Sequence, residues 1–276
     1  MCVTRYIYLI IGLLAFNAPV LVAAPNSCFE AIEYGQKVDV TTRQSLFVLI
    51  DQTTPLGPQM KARVQSLLNF WGDAGDKVTV VAFSANMRGR YPEVLFSQQL
   101  EPKPTQDYLY NLRHDDRKVL LECLALQQKF FRNGFADALS MALNGINPEI
   151  PKTDLLDTLK QVSLELVKKE KGERRILFLV SDGMENSSAI SFYRAKTIER
   201  TKSRKLMGKI RRKGLVANWD GIEVYMYGLG LPSKPKAYVK TKTMRNLRDF
   251  WEHYFTEGNA TIKAIGSPEL LISSLE

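Results

Sequence analysis

The chain predicts an α/β fold: a doubly wound, mostly parallel sheet with helices on both faces, in the manner of a Rossmann-like layout. Three observations carry this. Apolar runs at Leu46–Ile50 and Ile176–Val180 lack the alternation of a half-exposed strand and suit strands buried on both sides. Each run ends in a carboxylate, Asp51 directly and Asp182 after Ser181, at the strand end where open α/β sheets gather ligands. Between and beyond them, strand-like stretches alternate with helical periodicity.

The elements follow in order. Residues 1–24 read as a secretory signal peptide: Arg5 gives the positive start, Ile7 to Phe16 the apolar core, and Leu21-Val22-Ala23-Ala24 the small residues for cleavage. Asn17 and Pro19 interrupt the apolar stretch, which makes a membrane span the weaker reading. Residues 25–43 show no sustained period and are expected to link or wrap. From 44 to 276 the chain reads as one domain, long enough to bury a full core. A strand at 46–51 leads to a helix from Pro58 to about Trp71, opened by proline and ended by Gly72 and Gly75. A strand at 78–83 follows, then a short antiparallel edge strand from Glu93 to Phe96. Val119, Leu120, Cys123, Leu124 and Leu126 mark the apolar stripe of a helix over 114–131. Asn133-Gly134 is expected to break it, leaving a separate short helix from Phe135 to Ile146. Leu155, Leu156, Leu159, Val162, Leu166 and Val167 mark a third helix before the strand that reaches Asp182. A strand at 222–227, a helix at 243–255, a strand at 261–265 and a closing helix opened by Ser267-Pro268-Glu269 complete the pattern.

Cleavage of the leader removes Cys2 and leaves Cys28 and Cys123. In an exported chain a disulfide between them is the first expectation. Two buried thiols are the second, since Cys123 lies in an apolar run. Lipid attachment at Cys28 ranks last, because Pro25-Asn26-Ser27 does not supply the lead that a bacterial lipoprotein needs.

The chain carries 38 Lys and Arg against 29 Asp and Glu, a net charge of +9. A basic insertion at about 186–218 concentrates Arg194, Lys196, Arg200, Lys202, Arg204, Lys205, Lys209, Arg211, Arg212 and Lys213 against Glu199. Ile190, Tyr193, Thr197, Ile198, Met207 and Ile210 give it only a broken apolar stripe, so one or two exposed helices are expected to project beside the strand ends. Their cations are either a solvated face or a partner surface formed by Arg200, Lys202, Arg204, Lys205, Lys209, Arg211, Arg212 and Lys213. An acidic protein or the envelope surface suits that charge, and nucleic acid is disfavoured by the export signal and by the lack of a nucleic-acid-binding module.

Several catalytic classes lose their material. No phosphate-loop sequence and no Gly-x-Ser-x-Gly elbow occur, and the only histidines are His114 and His253. A general base needs a nucleophile and an orienting partner nearby, and helix capping and packing account for both histidines better. What remains is oxygen chemistry. Asp51 and Asp182, if their strands are neighbours where strand order reverses, converge on one crevice, and with the Thr53 hydroxyl they offer part of the shell that Mg²⁺ or Mn²⁺ prefers. Capping or turn formation is the plainer role for both acids.

Asp51-Gln52-Thr53-Thr54-Pro55 and Ser181-Asp182-Gly183, in this layout, resemble the von Willebrand factor A (vWA) domain family over roughly 44–275. That family holds a divalent metal through an Asp-x-Ser-x-Ser motif, a Thr from a second loop and an Asp from a third. The resemblance implies metal ligands at Asp51, Thr53 and Asp182, with Pro55 where the last hydroxyl should stand. Ala138-Leu139 resembles the family's Ala-Leu pair and places Asn133 at the second-loop position. The metal-ion-dependent adhesion site is therefore degenerate. The expected function is that of an exported, non-enzymatic protein-interaction domain, periplasmic or secreted, in an envelope, conjugation or secretion assembly. The alternatives are a metal-assisted hydrolase using Asp51 and Asp182 and a structural domain that has lost its metal.

Overall fold

The computed structural model describes residues 27–32, 42–84, 92–147, 149, 154–187, 189–192, 198, 203–232 and 240–275. Residues 1–24, where a signal peptide is expected, and Arg200 and Lys202 lie outside them. Six strands form one sheet: β1 (Gln44–Asp51), β2 (Asp76–Phe83), β3 (Glu93–Gln99), β4 (Arg174–Val180), β5 (Glu223–Tyr227) and β6 (Thr261–Ile265). Their order is β3-β2-β1-β4-β5-β6, and every pairing is parallel except β2 with the edge strand β3. The helices are α1 (Pro58–Leu68), α2 (Gln106–Asn111), α3 (His114–Asn144), α4 (Leu155–Glu165), α5 (Ser203–Arg212) and α6 (Thr241–Glu257).

The period-two rule divides the sheet's side chains between two cores. Leu46, Val48, Ile50, Val78, Val80, Phe178 and Val180 face α1, α3 and the C-terminal segment through Leu270 and Leu275. Phe47, Leu49, Val81, Leu177, Leu179, Val224 and Met226 face α4, α5 and α6. Both faces of β1 and β4 are thus covered, which is why their sequences are continuously apolar. From β1 the chain crosses one face to reach β2, and from β4 it crosses the other face to reach β5 and then β6. Parallel crossovers are right-handed, so reversing the direction of travel moves the helices to the opposite face. The reversal falls between β1 and β4, which makes their carboxyl ends the switch point of the fold.

Three expectations are corrected. Asn133-Gly134 does not break a helix, because α3 runs unbroken from His114 to Asn144. A Cβ on Gly134 would stand 2.9 Å from the Phe96 ring, so this glycine lets α3 lie close over β3 and ends nothing. The closing helix after Ser267 is absent from the described residues: the segment is irregular, and its carbonyls serve the body of the domain. Gly228 N donates to Pro268 O at 2.8 Å, Arg63 to Ile272 O, and Arg174 to Leu275 O at 3.0 Å. Finally, α5 does not project. Leu206, Met207 and Ile210 are buried in the second core, so the helix is the β4–β5 crossover and only its other side is basic.

Cys28 and Cys123 form a disulfide, with 5.6 Å between their Cα atoms, across 95 residues of sequence. It secures residues 27–32 against the amino-terminal half of α3, where Phe29 and Ile32 bury themselves with Leu120. Glu101 completes the attachment by accepting from Ser27 Oγ at 2.6 Å and from Cys28 N at 2.8 Å.

Candidate functional site

At the carboxyl ends of β1 and β4 the chain turns abruptly and polar groups replace the apolar strand interior. Asp51 is fully buried, and both its oxygens are engaged: Oδ1 accepts from Thr53 N at 2.9 Å and Thr53 Oγ1 at 2.7 Å, and Oδ2 accepts from Ser181 Oγ at 2.8 Å. Asp182 is 4 % exposed and its Oδ1 accepts from Met184 N at 2.8 Å. The two loops are tied directly, because Asp182 N donates to Thr54 Oγ1 at 3.1 Å. Burial raises the pKa of Asp51 against the pull of its hydrogen bonds. Burial lifts Asp182 well above the usual carboxylate range, and the neighbouring Asp51 charge adds to the rise. Two like charges in one low-dielectric pocket cannot both ionise cheaply, so the pair holds a proton or calls for a cation.

The rest of the rim is arranged around Gly183. Its φ of +72° is a left-handed conformation that suits glycine, and a Cβ there would stand 2.6 Å from Leu229 Cδ1 and from Trp251 Nε1. Trp251 Nε1 donates to Gly183 O at 3.0 Å, and Gly230 N donates to Asp182 O at 2.8 Å. On the β1 side, Gln52 Nε2 donates to Ala142 O at 2.8 Å, and Gln52 O accepts from Asn147 N at 2.7 Å. The second segment to meet the site is therefore the one that leaves α3 at Gly145.

That geometry sorts the expected site residues. Asp51, Thr53 and Asp182 are brought together. Asn133 is not: it is an exposed residue within α3, eleven positions before the helix end, or about 16 Å along its axis. Ala138-Leu139 lies inside the helix and faces the core, so the motif match that placed Asn133 misread packing residues as a loop boundary. Ser181 and Thr54 take working positions that the sequence did not assign to them, one bonded to Asp51 and the other to the Asp182 backbone. Glu185 was also missed. It is fully buried, accepts from Leu156 N at 3.0 Å, and so caps the start of α4 from across the site loop. Burial pushes its carboxyl up to about 8. An acid placed in the apolar neighbourhood of Met184 and Ile190 was the available signal.

Among the described residues no group of three or more His, Cys, Asp or Glu side chains is placed to hold an ion. A cation would depend on Asp51 and Asp182 with the hydroxyls of Thr53, Thr54 and Ser181, an all-oxygen set whose chemistry fits Mg²⁺ or Mn²⁺. The described part of the basic surface, Arg204, Lys205, Lys209, Arg211, Arg212 and Lys213, lies on the solvent side of α5.

Fold and site together define an α/β protein with a cluster of buried polar groups at the switch point of a doubly wound sheet. No protein-family model matches the chain, and no curated protein is similar to it. Among solved structures it is similar to the human COPII-coat protein Sec24c, with 15 % identity and a TM-score of 0.32, over 86 % of this chain and 31 % of that one. The chain thus spans under a third of that protein's resolved length, and likeness at this level establishes neither fold nor partner.

Proposed function

We propose that the protein is an exported, non-enzymatic interaction domain of vWA type, and that its partner docks over the rim formed by β1 and β4. The convergence of Asp51 and Asp182, buried and tied through Thr54 and Ser181, is the observation that carries this reading. Two acids at a switch point are where such a sheet receives a ligand, and among the described residues neither has a histidine beside it to act as a general base. Mg²⁺ or Mn²⁺ bound by Asp51, Asp182 and Thr53 would supply positive charge for an oxygen ligand on the partner. The residues themselves hold the two loops in register and keep water from the carboxylates. The disulfide supports export to the periplasm or the exterior, since such bonds persist in oxidising compartments.

The test is calorimetric titration with Mg²⁺ and Mn²⁺ of the wild type and of Asp182→Ala, together with a phosphatase and esterase screen in both ions. Ion binding lost in the variant, without turnover in either protein, is the expected result. Metal-dependent hydrolysis abolished by Asp182→Ala overturns the non-enzymatic reading, and absence of ion binding in the wild type leaves a structural domain without a metal.

A further inference from the structure

Two basic runs of the sequence each contribute a helix, α5 and α6, to one side of the fold. Residues 189–213 hold ten Lys and Arg against Glu199, and residues 232–248 hold Lys234, Lys236, Lys240, Lys242, Arg245 and Arg248 with no acid. Of the 38 cations in the chain 16 fall in these runs with one of the 29 acids, so the remainder carries 22 cations against 28 acids. The charge is thus concentrated in these two runs of the sequence, and their described helices pack on each other, α5 from the first run on α6 from the second. Asn246 Nδ2 donates to Ile198 O at 2.8 Å, and Arg211 forms a two-pronged ion pair with Glu257 at 2.6 and 2.7 Å.

Arg248 serves the fold, donating to Ile265 O and Ser267 Oγ at 2.9 Å each, but a described set of cations on this face does not. Arg204, Lys205, Lys209, Arg212 and Lys213 are exposed and make no ion pair among the described residues, and Lys242 and Arg245 are exposed on α6. Lys205, Lys209 and Arg212 stand at spacings of four and three, which align them along one side of α5. The face also reaches the crevice. Met244, in the first turn of α6, fills the space where a Cβ on Gly230 would stand, and Gly230 N is bonded to Asp182 O. The basic start of α6 is therefore one residue layer from the candidate site.

We propose that this α5–α6 face docks an acidic polypeptide segment that continues from the crevice. The proposal deepens the reading above and rests on it for where the partner sits. Charge complementarity sets the sign, and mixed Lys and Arg suits carboxylates, which arginine binds with two parallel hydrogen bonds. The face lacks what the other polyanions need. The exposed large apolar side chains, Phe70, Tyr110, Leu126, Phe130 and Met141 among them, lie elsewhere, and none is on α5 or α6. Among the described residues of α5 and α6, therefore, a bilayer meets no apolar wedge, and single-stranded nucleic acid meets no aromatic platform. α5 is about 15 Å long, a length covered by about five extended residues, so a short run of Asp or Glu spans it.

The full chain, disulfide intact, is titrated at low salt with poly-L-glutamate, with vesicles of phosphatidylglycerol mixed with phosphatidylcholine, and with single-stranded oligothymidylate. Two face variants are compared, Lys205→Glu/Lys209→Glu/Arg212→Glu and Lys242→Glu/Arg245→Glu, with a far-side control, Lys103→Glu/Lys118→Glu/Lys129→Glu. All these residues are exposed, and circular dichroism verifies folding. Poly-L-glutamate is expected to bind best, to weaken by about tenfold or more in each face variant, to weaken with salt, and to hold within about twofold in the control. An equal loss in the control, or tighter binding of vesicles or oligonucleotide, overturns the proposal. Asp182→Ala separates the two readings. If it loses Mg²⁺ yet binds poly-L-glutamate as the wild type does, the face stands apart from the crevice. If the face variants retain wild-type affinity, the face fails, whatever the ion titration shows for the crevice.

Discussion

Replacing Glu185 with Gln should change how stability depends on pH more than it changes stability itself. Glu185 is buried beside the start of α4 and accepts from the Leu156 amide. Two effects oppose one another there. The free amides of a helix start favour a negative charge by about 0.3–1 kcal/mol, up to about 2 in a partly buried site. Burial favours the neutral acid, and it wins, raising the group from 4.5 to about 8, with the Asp154 charge adding to the rise. The folded protein therefore holds a proton that the unfolded chain releases between those values. Below about pH 4.5 both states are protonated and no stability is lost, whereas from 4.5 to about 8 the unfolded state is progressively favoured. The full span corresponds to about 5 kcal/mol as an upper bound, and water entering the site reduces it. Glu185→Gln keeps an oxygen for the Leu156 amide and removes the titration. Urea denaturation at pH 5, 6.5 and 8 should give a wild type that weakens steadily and a variant that weakens less, so that the variant is the more stable at pH 8. Asp51 and Asp182 are raised in the same direction and leave residual slope in both proteins. Parallel curves for the two proteins would refute the assignment of a buried, protonated Glu185.

Removing the disulfide, by reduction or by Cys28→Ser/Cys123→Ser, should cost about 3–5 kcal/mol, because it closes a loop across 95 residues; the check is a denaturant midpoint with and without reductant. Gly183→Ala should cost about 2–4 kcal/mol, combining a left-handed backbone with contacts at 2.6 Å to Leu229 and Trp251, and thermal melting together with quenching of Trp251 fluorescence should register both the loss and the shifted indole. Lys242→Glu should stabilise α6 by about 0.3–1 kcal/mol, since the first turn of that helix contains no acid. The same change should weaken poly-L-glutamate binding, so a variant that gains stability and keeps affinity would contradict a binding role for Lys242.

The frame of the fold was legible because its signals are local. β1 and β4 are apolar throughout, β6 was placed over its observed residues 261–265, and the edge strand expected at 93–96 is antiparallel as expected but runs on to Gln99. Asp51 and Asp182 were legible for the same reason, each marking the end of a buried run. What escaped depends on contacts between distant residues. Gly134 looks like a helix stop until Phe96 is seen against it. Ser267-Pro268-Glu269 looks like a helix start until Gly228, Arg63 and Arg174 are found holding the carbonyls of that segment. α2 was missed because six residues carry little periodicity; it starts at Thr105, whose hydroxyl accepts from Tyr108 N at 3.2 Å. The second-loop ligand position was misplaced because a short Ala-Leu pair occurs readily in any packed helix.

The crevice and the basic face make sense together as one electrostatic arrangement. Asp51 and Asp182 put two acids where only one charge is comfortable, and Asp51 is the better supplied of the two, with three hydrogen bonds from Thr53 and Ser181. Asp182 shares that buried site, its carboxyl raised by burial and by the Asp51 charge, and its backbone is tied to Thr54 and Gly230. A cation entering there favours ionisation of Asp182. An acidic segment arriving without one would oppose it, were its own charge not first met by α5 and α6. On the proposed reading, the cations of α5 and α6 would allow a negatively charged partner to approach the two carboxylates, which neither feature would achieve alone.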